Sequence, residues 1–145
     1  MAAGDIEIWS GNAGAPRWEA HASPGSDARA EPGGRALRFE FALAGHGAWA
    51  IARRALAFEL PAHWVAWLRV RGEAAPAELQ LKLVDESGAN VWWWRRAGFA
   101  PAHAGERIAL RRASLAFAWG PASGGEPRRV GAVELAVASD AGARG

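Results

Sequence analysis

The sequence is marked first by what it lacks. Its 145 residues include no cysteine and no tyrosine, one lysine and one methionine. Without cysteine the chain can form no disulfide, no zinc–thiolate site and no thiolate nucleophile. It contains no run of 18 apolar residues and no charged-then-apolar start. Neither a membrane span nor a signal peptide is therefore predicted.

The charge balance argues against nucleic acid as a partner. The formal net charge is only +2, although the calculated isoelectric point is 10.3. Arginine keeps its charge to very high pH, so a small excess raises the isoelectric point when few other groups titrate. The arginines are scattered singly and in pairs, with the pairs at 53–54, 95–96, 111–112 and 128–129. Scattered pairs are typical of solvated strand ends, and no nucleic-acid partner is expected.

Leucine, valine and phenylalanine recur at every second position in six segments. These are 37–43, 56–60, 68–70, 79–83, 115–119 and 133–137. Glycine, proline and serine separate the segments, and no stretch shows helical spacing with caps. This pattern predicts an all-β chain, folded as an antiparallel β-sandwich. The alternation breaks between Leu110 and Leu115, which predicts a bulge or tight bend. We expect one domain over residues 1–145, with the weakest strand pattern in 1–34.

Nine tryptophans are the most informative residues present, and three of them are consecutive. Neighbouring side chains of a strand point to opposite faces. Either Trp93 packs in the core while Trp92 and Trp94 face away from it, or the reverse. An indole on the less buried face suits a ligand with an apolar face and a polar rim, and sugars are the obvious class.

The candidate binding residues come from the polar faces of the predicted strands. Trp67, Trp92 and Trp94 are predicted to stack against sugar rings. The predicted hydrogen-bonding contacts to sugar hydroxyls are Arg69, Gln80, Lys82 and Asp85. The alternative is that the indoles pack on the sheet and that Lys82 and Asp85 form ion pairs across strands. Replacing Trp92 or Trp94 by alanine is expected to abolish binding with little change in melting temperature.

Two further tryptophans, Trp49 and Trp119, are expected to pack in the core or against loops. Trp119 follows Leu115 and Phe117 in one alternating segment, so the period of two assigns all three to one apolar face.

Several segments, taken in order, resemble galactose-binding-like β-sandwich domains. Such domains occur in bacterial multidomain proteins that also carry discoidin (coagulation factor 5/8 type) or glycoside hydrolase domains. The resemblance spans residues 35 to 140 and rests on segments 53–54, 60–61, 67–72, 81–85, 90–93, 117–121 and 133–136. It implies a jelly-roll carbohydrate-binding module without catalytic activity.

The same resemblance implies a structural calcium held by acids near the first and last strands. In this chain those acids are Asp5, Glu7 and Asp140. The resemblance also implies one more strand than the sequence supplies. Either the domain is truncated at its C-terminal end or its sheet edge is completed differently.

The resulting hypothesis is a non-enzymatic module that binds a polysaccharide or oligosaccharide and targets an attached enzyme to it. The parent protein is then expected to be secreted, periplasmic or on the cell surface, with other domains of the chain as further partners. One alternative is an interdomain or protein–protein packing module that buries the tryptophan face. The other is a small jelly-roll lyase or hydrolase that uses Glu40, Glu134 or a histidine.

Overall fold

The computed structural model describes residues 17–33 and 36–139, which form ten β-strands and one 3-10 turn, Arg112–Ser114. The strands are β1 (Glu19–Ala22), β2 (Asp27–Gly33), β3 (Ala36–Ala42), β4 (Ala48–Glu59), β5 (Val65–Val70), β6 (Ala77–Asp85), β7 (Val91–Phe99), β8 (Glu106–Arg111), β9 (Ala116–Trp119) and β10 (Arg129–Ser139). The predicted all-β class is confirmed. No helix in these residues is long and apolar enough to cross a membrane.

The strands pack as two layers. Six of them form one antiparallel sheet in the order β1-β4-β10-β6-β7-β9. Two antiparallel two-stranded ribbons, β2–β3 and β5–β8, lie over one face of this sheet. The core between the layers joins Leu79, Leu81 and Leu83 of the sheet to Leu68 and Leu110 of one ribbon. The fold is an antiparallel β-sandwich of jelly-roll type.

All six alternating segments lie wholly or partly in strands, and the break after Leu110 is the 3-10 turn. The alternating pattern did not predict β1, β2 and β8. In β1 and β2 the residues that alternate with the polar ones are mostly alanines, and alanine is too small to mark an apolar face. A pattern of strong apolar residues is therefore missing, although the strands form.

A bulge in β10 decides which of its residues face away from the core. The register with both neighbouring strands shifts between Val130 and Ala132. The intervening residue is Gly131, where an added Cβ would lie 3.0 Å from the carbonyl oxygen of Asp85. Val130 packs in the core, whereas Ala132 belongs to a small cluster on the opposite face. From Ala132 onward, the even-numbered residues of β10 face away from the ribbons.

A second register shift, between β7 and β9, separates two aromatic residues that the sequence pattern joins. Trp92 pairs with Phe117, whereas Val91 pairs with Trp119. Phe117 consequently packs edge-on to Trp92 with ring centroids 5.5 Å apart. Trp119 lies on the other face and is 47% exposed. The prediction that Trp119 packs in the core or against loops is wrong because the register shift resets the alternation.

Candidate functional site

A groove crosses the outer face of the six-stranded sheet, the face that the ribbons leave open. Its volume is about 310 Å³, and it is lined by Gly47, Trp49, Ile51, Glu78, Gln80, Lys82, Ala136, Ala138 and Ser139. Ligand clefts in proteins span about 300–1,000 Å³, so this groove has the size of a small ligand site.

The groove exists because short side chains alternate with long ones across three neighbouring strands. Ala138 of β10 pairs with Trp49 of β4 on one side and Glu78 of β6 on the other. Ala136 stands in the same way between Ile51 and Gln80. Paired side chains on one face of a sheet lie side by side. The two alanines therefore form a floor between two taller walls.

Trp49 forms the apolar wall and is 39% exposed. In the first half of β4 the buried positions are Ala48, Ala50 and Ala52, so the larger residues Trp49 and Ile51 face outward. The prediction that Trp49 packs in the core or loops is wrong. A prediction from hydrophobicity alone places the larger side chains in the core. In the structure the side chains of the ribbons occupy the core opposite this half of β4, and only alanines fit there.

The other wall is polar, and its charges are balanced by neighbours. The Arg53 guanidinium donates to Glu134 Oε1 at 3.0 Å, beside the ammonium group of Lys82. Burial lowers the pKa of Lys82 from its usual range, and the Glu134 carboxylate opposes that shift. Gln80 Nε2 donates to Glu78 Oε1 at 2.7 Å. The groove therefore presents fixed donors and acceptors without a large excess of either charge.

A cluster of two indoles extends the groove across β7 and β9. Trp93 and Trp119 pack edge to face with centroids 5.5 Å apart. The Arg95 guanidinium lies 4.3 Å from the Trp93 ring centroid, and Lys82 Nζ lies 5.4 Å from that of Trp119. Cations over ring faces fix the orientation of these indoles. A second cavity of about 310 Å³ adjoins Trp93 and Arg95 and shares Glu78 with the groove.

The structure brings only two of the predicted site residues into the groove, Gln80 and Lys82. Trp92 is 5% exposed, and its indole N–H donates to the carbonyl oxygen of Gly125 at 2.9 Å. Trp94 is half-buried against the core and borders the second cavity. Trp92 pairs with Leu83 and Trp94 with Leu81, so both share the core-facing side of the sheet. The predicted exposure of Trp92 and Trp94 is corrected here, since Trp93 is the outward residue.

Trp67 and Arg69 lie on the opposite side of the sandwich. Both face outward on the β5–β8 ribbon, while Leu68 between them packs in the core. Period two identifies the outward residues of each strand but not the layer to which a strand belongs. Trp67 and Arg69 are therefore separated from Gln80 and Lys82 by the whole core.

Asp85 ends β6 and organises the turn into β7. Its carboxylate accepts hydrogen bonds from Ser87 Oγ at 2.7 Å and from Asn90 Nδ2 at 2.7 Å. Desolvation raises the pKa of this carboxyl, but the hydrogen bonds from Ser87, Asn90 and the backbone of Ala89 together outweigh it and hold the pKa below its usual value. Asp85 therefore holds the turn rather than lining the groove.

We expect Asp85→Asn to lower stability at neutral pH and to remove part of the acid sensitivity of folding. A carboxyl whose pKa is depressed in the folded state stabilises the fold above its unfolded pKa of about 4 and loses that effect as pH falls through the folded pKa. The stability difference between the wild type and the variant should thus shrink below about pH 4. Urea unfolding at neutral and acidic pH measures it. A difference that is constant with pH would contradict the assignment.

The remaining predicted groups do not form a second site in the described residues. Asp5, Glu7 and Asp140 lie outside those residues, and the calcium site stays a prediction. In residues 17–33 and 36–139, no group of three histidines or acids could hold a metal ion. Glu40 lies on β3 and pairs with Arg38, whereas Glu134 lies on β10 and pairs with Arg53. These two carboxylates belong to different layers of the sandwich.

The architecture and the open groove define an all-β jelly-roll sandwich with a ligand-sized cleft on its larger sheet. No protein-family model and no curated protein matches the sequence, so the resemblance to discoidin-type domains stays a prediction. Among solved structures, the chain is similar to the family 11 carbohydrate-binding module of the cellulosomal cellulase Lic26A-Cel5E of Clostridium thermocellum. The TM-score is 0.68 at 12% identity, covering 99% of this chain and 91% of that one.

A second solved structure is a family 11 carbohydrate-binding module from Clostridium thermocellum in complex with a β-1,3-1,4-mixed-linked tetrasaccharide. Here the TM-score is 0.60 at 12% identity, covering 88% of this chain and 84% of that one. At this identity the likeness establishes the fold, which is the β-sandwich that the alternating pattern predicted, of the jelly-roll type that the resemblance implied.

Proposed function

We propose that this chain is a non-catalytic carbohydrate-binding module that binds a glycan in the groove of its six-stranded sheet. One observation carries the proposal. The groove has a floor of alanines, with the exposed indole of Trp49 on one side and the hydrogen-bonding groups of Gln80 and Lys82 on the other.

Such a groove offers both kinds of contact that a sugar ring needs. The C–H face of a pyranose packs against an indole, where its weakly positive hydrogens meet the negative face of the ring. Trp49 and Trp119 present indole surface, and the Lys82 ammonium and Gln80 amide offer hydrogen bonds to hydroxyls. Because Arg53 and Lys82 lie beside Glu134, the cations are matched by a carboxylate. This balance favours an uncharged glycan.

The similar folds support this choice and supply a first ligand to test. One of the two family 11 modules was solved with a β-1,3-1,4-mixed-linked tetrasaccharide, so that tetrasaccharide is the first probe. Since the groove is open and shallow, we expect a dissociation constant in the range of about 1 μM to 1 mM.

The test is a fluorescence or calorimetric titration of the wild type and three tryptophan variants with the mixed-linked tetrasaccharide. Trp49→Ala and Trp119→Ala should each weaken binding about tenfold, because each removes a stacking contact that contributes about 1–2 kcal/mol to the binding free energy. Trp67→Ala is the matched control, since it removes an exposed indole far from the groove. A panel of other neutral glycans follows if this probe gives no signal. Absence of saturable binding across the panel would refute the proposal.

Within a longer protein, such a module would hold an attached enzyme on its polysaccharide. That role fits an extracellular or cell-surface protein, as the cellulosomal origin of one similar module suggests. The competing proposal is a packing module in which the indole surface of Trp49 and Trp119 contacts another domain or protein. The paired charges of Arg53 and Glu134 argue for a polar ligand over a dry interface. Self-association of the isolated domain that is lost in Trp119→Ala would favour packing instead.

A further inference from the structure

Four arginines gather on the outward side of the β5–β8 ribbon, on the opposite side of the sandwich from the groove. We call this surface the arginine face, and its exposed cations are Arg69, Arg71, Arg107 and Arg111. In the ribbon Arg69 is directly paired with Arg107, and Arg71 continues the row just after β5. The four residues come from two distant segments of the sequence, and only the pairing of the strands brings them together.

This face carries positive charge without local compensation. No carboxylate of the described residues lies within 4.0 Å of any of these four guanidinium groups. Like charges directly opposite each other on neighbouring strands destabilise a sheet. The repulsion between Arg69 and Arg107 thus lowers the stability of the free protein. A negatively charged partner bound between them would remove this repulsion.

The other ribbon shows that this arrangement is not a general property of the surface. On β2–β3, Arg29 is paired with Glu40, and Glu31 with Arg38. Each arginine there also forms an ion pair along its own strand, Arg29 with Glu31 at 2.6 Å and Arg38 with Glu40 at 2.5 Å. The outward faces of the two ribbons therefore differ, because the arginines of β2–β3 are paired with carboxylates and those of β5–β8 are not.

We propose that the arginine face binds an acidic polysaccharide, a glycan chain whose sugar rings carry carboxylates. Guanidinium groups bind carboxylates with two parallel hydrogen bonds. Arg107 and Arg111 are four residues apart on one strand, which separates them by about 13 Å. One small anion cannot reach both, so a ligand that contacts all four arginines is an extended chain with repeated charges.

An exposed indole at the centre of the face fits a sugar ring better than other polyanions. Trp67 is 53% exposed, and the Arg107 guanidinium lies 3.6 Å from its ring centroid. Single-stranded nucleic acids are held by successive aromatic side chains, whereas Trp67 is the single aromatic residue among the outward positions of this ribbon. The preference for a polysaccharide among polyanions rests on the proposed function of the chain. The face itself shares no residue with the groove.

The test measures binding of polygalacturonate to the wild type and two double variants, by affinity electrophoresis and calorimetry at about 50 mM salt, where charge interactions extend over more than 10 Å. The variant Arg69→Gln/Arg107→Gln should bind about tenfold more weakly, because it removes two charge-assisted contacts. The control Arg29→Gln/Arg38→Gln has the same loss of charge on the other ribbon and should bind as the wild type does. Fully methyl-esterified polygalacturonate carries no charge, so it should not distinguish the wild type from Arg69→Gln/Arg107→Gln.

Three outcomes would overturn the proposal. They are no binding of polygalacturonate, an equal loss in both double variants, and tighter binding of polyuridylate or of anionic phosphatidylglycerol vesicles. Arg69→Gln/Arg107→Gln removes both a like-charge pair and the contact of Arg107 with Trp67, so its melting temperature should change little, and a thermal melt verifies this. Its binding of the mixed-linked tetrasaccharide should also equal that of the wild type. In the wild type, absence of binding to every neutral glycan of the panel would refute the groove alone, while absence of binding to polygalacturonate would refute the arginine face alone.

Discussion

Replacing Trp92 by alanine is expected to lower the free energy of unfolding by about 3–5 kcal/mol, the usual cost of deleting a buried large aromatic side chain. Trp92 is 5% exposed, packs edge-on to Phe117 and donates its indole N–H to Gly125. The variant would lose these contacts and leave the Gly125 carbonyl without this donor. Since domains are stable by about 5–15 kcal/mol, the variant should be close to unfolding at room temperature. Urea unfolding followed by circular dichroism measures the change.

Trp93→Ala is the matched control, since the substitution is the same and the position is adjacent. Trp93 lies on the outer face, in contact with Trp119 and Arg95. Its replacement should change the free energy of unfolding by no more than about 1 kcal/mol, the size of such surface aromatic contacts. If Trp93→Ala were the more destabilising of the two, the assignment of faces in β7 would be wrong. The large loss of stability expected for Trp92→Ala is the opposite of the sequence-based expectation, which was that this substitution leaves stability nearly unchanged.

Replacing Ala138 by leucine is expected to remove glycan binding, with affinity falling more than about 100-fold, or below detection. Ala138 forms part of the groove floor between Trp49 and Glu78. A leucine there would fill the space over which a sugar ring must lie to reach Trp49. The stability should change little, because the added methylene groups project into an open groove instead of the packed core. Titration with the mixed-linked tetrasaccharide, together with a thermal melt, tests both parts.

Ala57→Leu is the control for this substitution. Ala57 is exposed on β4 and does not line the groove. The same increase in side-chain volume there should leave binding unchanged. Equal binding by Ala138→Leu and the wild type would mean that the glycan does not occupy the groove floor, and the proposed site would have to be abandoned.

The two corrections at Trp49 and Trp119 have different physical causes. The exposure of Trp119 follows from a one-residue register shift between β7 and β9, which alternation within a single strand cannot reveal. The exposure of Trp49 follows from alanines that face the core beneath bulky ribbon residues such as Phe39 and Phe41. The sequence does show Ala48, Ala50 and Ala52 alternating with larger residues. Which of the two sets faces the core depends on the size of the side chains packed opposite, and that size is known only from the structure.

The sequence by itself determined the class of fold and the kind of ligand to test. Period-two alternation and turn residues follow from backbone geometry, so they identify strands without knowledge of their partners. The same period correctly placed Trp93 on the opposite face from Trp92 and Trp94, but it did not show which of the two faces is the outer one. Gln80 and Lys82 were identified because they stand between leucines on a single strand.

Only the tertiary structure decided how these strand faces combine. The pairing of Leu83 with Trp92 assigned the indoles of β7 to their sides, and the bulge at Gly131 turned Ala136 and Ala138 into the groove floor. The pairing of β5 with β8 likewise created the arginine face. Strand partners, register shifts and layers are set by contacts between residues far apart in the chain, and a local pattern carries no information about them.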